Sequence, residues 1–544
     1  MLKVNLNSFD DLECSGKKDS LSFKGHVFKE SGNVMAKHEL KEALNNLKYE
    51  NDIISFLKSL NGFFSIIVEN ERYVLASVDR VRSTPLFYFI NNENIYISDK
   101  AHWISSQISF RDRDENGGIE FLLTGYTTEN RTLFKNIKQL QPGEFLLIDK
   151  ETNLVKVSNY FTFEHISLEN KSIDELVQEL DEITLAAFKR LIGMLNGRTA
   201  IIPLSGGQDS RLIATMFKRL KYQDVICFTY GSESDEEAKI SKEIAREFGY
   251  PWYFVEYNPT KWREIRKDGL FDEYIRNSGN YSSLPHIQDF LAVAELKNKE
   301  IIPDDAVFIP GHAGDFTAGS HIPDFLDKSR EPTLTELSNY IFKVHYTLWP
   351  TSKNNSRKMK ESILESLKVN NQLHQSNILT REEWANHLEK WVWRERQSKF
   401  ICNSVRVYDF FGYTWSLPLW DKDLIEFWLN IPFELRLKRR LYFEYTKIHV
   451  YPYLDVLGDN LLEKEKDNFR IKDYAGINNV KKSPLLIPVK YLYHLFASFQ
   501  HVSKNRFSFY SLYSRKDKGK YIVSGGGNIN SLIAKEYLKV YKEL

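Results

Sequence analysis

The chain is short of several features that commonly assign a protein early. Its 544 residues include three cysteines, Cys14, Cys227 and Cys402, spread along the whole length. That spacing fits neither a disulfide framework nor a thiolate metal cage, and such sparse usage suits a reducing compartment. No stretch approaches the roughly 20 consecutive apolar residues of a membrane-spanning helix. The opening Met1-Leu2-Lys3-Val4-Asn5 alternates apolar and polar and lacks the apolar core of a secretory signal. The cytoplasm is the expected location. An excess of either charge is missing too. With 74 basic against 73 acidic residues, no global field recruits nucleic acid or an anionic membrane. What is abundant is apolar and aromatic side chain, 42% and 14% of the residues, enough to exclude wholesale disorder. At this length two or three cores are expected rather than one.

Residues 1–165 read as a β-rich first domain. Gly62 to Val68 and Arg72 to Val78 are apolar runs either side of Glu69-Asn70-Glu71. A second pair, Leu86 to Ile90 and Ile95 to Ser98, flanks Asn91-Asn92-Glu93-Asn94, and a third brackets Asp149 to Asn153. Apolar runs joined by Asn- and Gly-bearing turns predict antiparallel hairpins. Near residue 170 the period changes. Ser172 with Glu175 forms a capping-box signature ahead of Ile173, Leu176, Val177 and Leu180 at helical spacing. Short apolar runs at 199–204, 225–230, 252–255 and 306–309 then alternate with helical patterns, which predicts a doubly wound parallel sheet over residues 170–455. Residues 456–544 read as a mainly helical extension, with Leu485 to Phe499 as a packed helix and Ser524 to Asn528 as a loop.

Between the run at 199–204 and a helical face sits Ser205-Gly206-Gly207-Gln208-Asp209-Ser210. Adjacent glycines admit an anion close to the backbone. Two serines add hydroxyls, and the helix that follows offers free N–H groups and a positive dipole end. Asp209 beside phosphate makes sense with a divalent cation between them, since hard carboxylate oxygens suit Mg²⁺. The spacing is not that of a Walker loop.

Ser-Gly-Gly-x-Asp-Ser after a strand resembles the PP-loop of ATP pyrophosphatases, and its surroundings resemble the asparagine synthase family. Asn61 to Ile66, Asp79-Arg80, Pro85 to Tyr88, Phe134 to Ile137 and Gln141 to Glu144 are similar to segments of that family's glutaminase-type domain. Ser234-Asp235-Glu236, Gly311-His312-Ala313-Gly314-Asp315 and Leu417-Pro418-Leu419-Trp420-Asp421 fall in the family's order. The resemblance implies an N-terminal αββα-like sandwich of the Ntn type and a PP-loop synthetase domain. It implies that Ser205, Gly206, Gly207, Asp209 and Ser210 bind pyrophosphate, that Asp209 and Asp315 hold Mg²⁺, and that Thr229, Tyr230, Gly231 and Gly311 border ATP. A lysine, Lys438 or Lys447, would stabilise charge in adenylation.

Three departures shape the expected reaction. Leu2 stands where glutamine-hydrolysing members expose a cysteine, and its alkyl side chain has no nucleophilic atom. His312 replaces an acid, and a neutral imidazole can accept the proton of an attacking amine. Thr414 to Asp421 lacks the family's Glu and Arg ahead of the proline. The expectation is an AMP-forming carboxylate–amine ligase without its own glutamine hydrolysis, taking a small-molecule carboxylate and an amine or ammonia. An ammonia-supplying protein and a second copy of the chain are further candidate partners. Two alternatives stay open: an ammonia-dependent asparagine synthase, which aspartate turnover would reveal, and a nucleotide-binding scaffold, which would bind ATP without turnover.

Overall fold

The computed structural model describes residues 3–7, 20–166, 171–327, 331–370, 378–454, 458, 502 and 505–543. Leu2, Cys14 and Leu485 to Phe499 therefore lie outside the described residues.

The first domain is two packed sheets. One has the order β2 (Ser20–Phe28), β3 (Asn61–Glu69), β4 (Tyr73–Val78), β8 (Glu144–Asp149) and β9 (Val155–Asn159). The other runs β1 (Lys3–Asn7), β6 (Asn94–Ser98), β5 (Phe87–Ile90) and β7 (Lys138–Gln139). Each of the three hairpins foreseen from the sequence turns on one Asx side chain. Asn70 Oδ1 accepts from the Arg72 and Tyr73 amides, both at 2.9 Å. Asn91 Oδ1 accepts from Glu93 and Asn94, and Asp149 Oδ1 from Glu151 and Thr152.

Strand alternation builds the layers. Ile67 of β3 and Val74 and Ala76 of β4 meet Tyr88, Ile95 and Ile97 of the opposite sheet. Phe64, Ile66 and Val68 point the other way, onto helices α1 (Lys37–Asn45) and α2 (Glu50–Ser59). On the far side, Phe87 and Phe89 pack with α3 (Ala101–Gln107) and α4 (Glu115–Thr124). The αββα sandwich is thus present, with one departure: β1 pairs with β6 in parallel, because it is not half of a hairpin.

The second domain begins with α5 (Ile173–Leu195), capped by Ser172 and Glu175 as the signature predicts. Its sheet has the order β12 (Trp252–Glu256), β11 (Val225–Gly231), β10 (Ala200–Pro203), β13 (Val307–Phe308) and β14 (Thr414–Trp415), all parallel. Ala200, Ile202, Cys227 and Val307 join one core, shared with α5, α6 (Gln208–Arg219) and α7 (Glu236–Phe248). Ile201, Phe228 and Phe308 join the other. The winding reverses between β10 and β13, and open α/β sheets bind ligands outside the strand ends at such a point.

The domains are tied by buried polar groups. Asp421 accepts from Asn61 Nδ2 at 3.1 Å and from Arg190 at 2.7 and 3.1 Å, while capping the helix Lys422–Asn430. The Leu284 amide donates to the Gly125 carbonyl at 2.7 Å, and that of Leu133 to Tyr281 at 2.8 Å. The last helices, Arg515–Ser524 and Ile529–Glu543, pack across both units, with Tyr537 stacked on Phe121 and the Trp349 indole donating to the Ser531 carbonyl. Gly525, between them, is left-handed and ends the first of these helices, so the loop is 525–528 and Ser524, expected in it, is the last helical residue. Among the described residues no helix is long and apolar enough to cross a membrane.

Candidate active site

The chain leaves β10 at Pro203, and the Leu204 amide still donates to the Phe228 carbonyl of β11 at 2.9 Å. Ser205 to Gly207 then turn into α6, whose N-cap is Gly207. The two serines knit this turn together. Ser205 Oγ accepts from the Gly207 amide at 3.1 Å, Ser210 Oγ accepts from the Ser205 amide at 3.1 Å, and the two hydroxyls are 3.1 Å apart. Loop and helix start are therefore one rigid piece, with the positive end of a 12-residue helix behind it.

Asp209 lies in the first turn of α6 and touches two other elements. Its Oδ2 accepts from the Asp315 amide at 3.1 Å, and its Oδ1 from the Tyr442 hydroxyl at 2.8 Å. Burial, and after it the charge of Asp315, pushes the Asp209 carboxyl up to about 7. Glycines make this approach feasible. A Cβ at Gly311 would stand 2.9 Å from the Ser210 nitrogen, and one at Gly314 2.9 Å from Asp209 Oδ1. The loops after β10 and β13, remote in sequence, thus meet at the reversal of the sheet. Among the described residues no three His, Cys, Asp or Glu side chains converge as a metal cage. Two adjoining carboxylates fit Mg²⁺, which keeps open positions for phosphate and water. That fit rests on the donor set, hard carboxylate oxygens from two strand ends brought together where Asp209 Oδ2 accepts from the Asp315 amide at 3.1 Å.

His312 follows Gly311 at the same strand end. Its Nε2 lies 2.6 Å from Ser404 Oγ. Burial, and then the neighbouring His286, pushes its pKa down to about 4, so the ring is neutral at pH 7. The Thr229 hydroxyl is committed to the Leu204 carbonyl at 2.5 Å and to Ser241. Tyr230 stacks on Tyr257 with ring centroids 4.8 Å apart and donates to Asp289 Oδ1 at 2.6 Å. Gly231 has φ +129°, and a Cβ there would meet Asp235 and Phe507. Of the two lysines, Lys438 reaches Asp327 Oδ2 at 2.9 Å, and Lys447 pairs with Glu444 on its own helix at 3.1 Å.

Four neighbours of the loop escaped the sequence reading. Arg439 donates to Gln208 Oε1 at 2.9 Å, and Arg211 to the Gly206 carbonyl at 2.7 Å. Tyr442 holds Asp209, and Ser404 holds His312. The signal for two of them was present: Arg439 and Tyr442 are three residues apart at the start of the helix Arg440–His449, in the same basic stretch as Lys438.

An αββα sandwich joined to a doubly wound sheet, with the Ser205–Ser210 loop and two acids meeting at the strand reversal, makes a two-domain α/β architecture. Family comparison agrees. A model described as asparagine synthase matches residues 196–475, and one described as glutamine amidotransferase domain matches 42–161. The chain belongs to the asparagine synthase family. It is 27% identical over 257 residues to asparagine synthetase [glutamine-hydrolyzing] 2 of Bacillus subtilis (strain 168), covering 44% of this chain and 33% of that protein. It is 24% identical over 281 residues to the microcin J25-processing protein McjC of Escherichia coli, covering 50% of each. The matches thus span half or less of the length of these relatives. A solved glutamine phosphoribosylpyrophosphate amidotransferase from B. subtilis, complexed with ADP and GMP, aligns over 54% of this chain and 61% of its own. The identity is 11% and the TM-score 0.18, too weak a likeness to bear on fold or function.

Proposed function

We propose that the chain is an AMP-forming ligase that adenylates a small-molecule carboxylate and joins it to an amine or ammonia, without hydrolysing glutamine itself. The observation that carries this reading is the junction of the Ser205–Ser210 loop with Asp315 through Asp209. The carboxylate oxygen attacks the α-phosphorus of ATP, the bond to the bridging oxygen breaks, and pyrophosphate leaves. Loop amides, both serine hydroxyls and the α6 dipole receive that leaving group. Arg439 adds positive charge beside Gln208, and Lys438 and Lys447 remain the lysines proposed to act there. Asp209 and Asp315 would hold Mg²⁺, which supplies charge neutralisation for the phosphates.

The amine then attacks the acyl carbon and AMP departs. Neutral His312 accepts the proton, with the Ser404 hydroxyl fixing its ring. The cysteines of the described residues, Cys227 and Cys402, are buried in the second domain, and burial pushes both thiols up. Neither suits glutamine hydrolysis. ATP–pyrophosphate exchange over a panel of carboxylates including aspartate and uronic acids, with Asp209→Ala as control, tests the reading. Exchange that depends on one acid and disappears in the variant supports it. Failure of both proteins to bind ATP overturns it.

A further inference from the structure

Between the two domains lies a cation without a counterion. The chain from Trp393 to Ile401 winds as a π-helix, a geometry that recurs where a helix presents side chains to a site. On this turn the half-buried Arg396 guanidinium sits 5.5 Å above the Phe400 ring. Among the described residues it has no ion pair and no hydrogen bond. Each acid around it accepts at least one hydrogen bond. Glu395 Oε2 is held by Lys399 at 2.6 Å and by the Glu129 amide at 2.9 Å, while its Oε1 is buried without a partner. Asp289 accepts from Tyr230 and Tyr408, and Glu120 from Thr128 and Tyr346.

Uncommitted polar atoms gather at the same place. The Tyr126 and His286 rings lie 6.0 and 6.4 Å from that of Phe400. Tyr126 is fully buried, yet its hydroxyl has no partner, and the same holds for His286 Nδ1 and Gln397 Oε1. Folded proteins leave few buried polar atoms unmatched, and those that remain ask for a ligand or a bound water. Burial foremost, with the Arg396 charge as a lesser cause, holds the His286 ring below its ordinary value, and Arg396 is the permanent cation of the cluster. Gln397 Nε2 comes within 3.5 Å of His321 Nε2. His286 and His312 feel each other's charge, as do His321 and Asp315, so the cluster lies within electrostatic reach of the adenylation site.

We propose that Arg396, with the Tyr126 hydroxyl and the His286 ring, binds a carboxylate of the acceptor substrate. This deepens the ligase reading and rests on it. Guanidinium and phenol match a carboxylate's two acceptor oxygens, and a partly desolvated arginine strengthens the contact. Tyr126 comes from the first domain, so the glutaminase-like domain would have a role in recognising the acceptor.

Glutarate and its monoamide glutaramate serve as probes, followed by saturation-transfer NMR on the full chain with Mg²⁺ and a non-hydrolysable ATP analogue. Glutarate should bind wild type at least about tenfold more tightly than Arg396→Gln, the loss typical of a charged hydrogen-bond partner, with Arg396→Lys between. Tyr126→Phe removes one oxygen from an intact ring and should weaken binding about threefold or more. If glutaramate binds ten times more weakly than glutarate to wild type, the site takes a second carboxylate. Equal binding of both probes, lost in Arg396→Gln, assigns it to the reacting one. Absence of binding to wild type, or binding indifferent to both variants, overturns the proposal. Nucleotide affinity measured alone, in wild type and Asp209→Ala, shows separately whether the ligase reading fails.

Discussion

Replacing Asp209 by Asn should make the metal-free protein more stable while destroying nucleotide-dependent function. In the fold this carboxyl sits beside Asp315 and is pushed from an ordinary 3.8 up to about 7. A group that binds its proton more tightly when folded favours folding at low pH. That contribution is complete below about pH 4 and is lost as pH rises through about 7. The gap corresponds to about 4 kcal/mol at ~1.4 kcal/mol per pH unit. Asp209 is only half-buried and solvent screens part of the repulsion, so a gain between about 2 and 4 kcal/mol is expected. Asn preserves shape and can accept from the Asp315 amide while donating to the Tyr442 hydroxyl. For a synthetase unit of roughly 280 residues, unfolding entropy near 2.1 cal/mol/K per residue turns this into about 3–7 °C. Thermal unfolding in EDTA at pH 8 measures it. The gap between variant and wild type should close near pH 4. Mg²⁺ with ATP should raise the melting temperature of wild type alone. A variant no more stable than wild type at pH 8, or a gap that persists unchanged at pH 4, refutes the reasoning.

Other outcomes follow from neighbouring contacts. Arg439→Ala should weaken MgATP binding about tenfold, since it removes a cation from the loop; fluorescent-nucleotide titration checks it, and an unchanged affinity removes Arg439 from the site. With His312 held down to about 4, the pH profile of AMP release should stay level from pH 7 to 5.5 as far as this base is concerned. The base is lost only as pH falls through about 4, so an acid limb near 6.5 that vanishes in His312→Gln contradicts the assignment. The fully buried Arg436 pairs with Glu389, so Arg436→Met strands a buried carboxylate and should cost about 3–5 kcal/mol. In urea unfolding, Arg436→Met with Glu389→Leu should recover most of that, and equal losses in the single and double variants would show that the charge is not the cause. A methyl at Gly311 would crowd the Ser210 nitrogen at 2.9 Å, so Gly311→Ala should weaken MgATP binding, as the same titration can show.

Local chemistry along the chain was sufficient for the hairpins and for the loop. Asn70, Asn91 and Asp149 turn their strands with their own side chains, and Ser172 caps α5 with Glu175 three residues on. Such contacts are completed within a few residues, so sequence spacing displays them. The strand–Ser-Gly-Gly–helix unit is local in the same sense. Two-residue strands were harder. β13 was visible as an apolar run, but β14 was not, because Thr414 and Trp415 owe their strand state to Val307 and Phe308 more than a hundred residues earlier. The same limit hid the partners of the loop. Tyr442 reaches Asp209 across 233 positions and Arg439 reaches Gln208 across 231. Ser404 finds His312 only because the chain packs back onto the end of β13. Hydrogen bonding and turn propensity act over a few residues and can be read from order alone. Burial, the crowding of Asp209 against Asp315, and the isolation of the Arg396 charge depend on which distant segments the folded chain brings into contact.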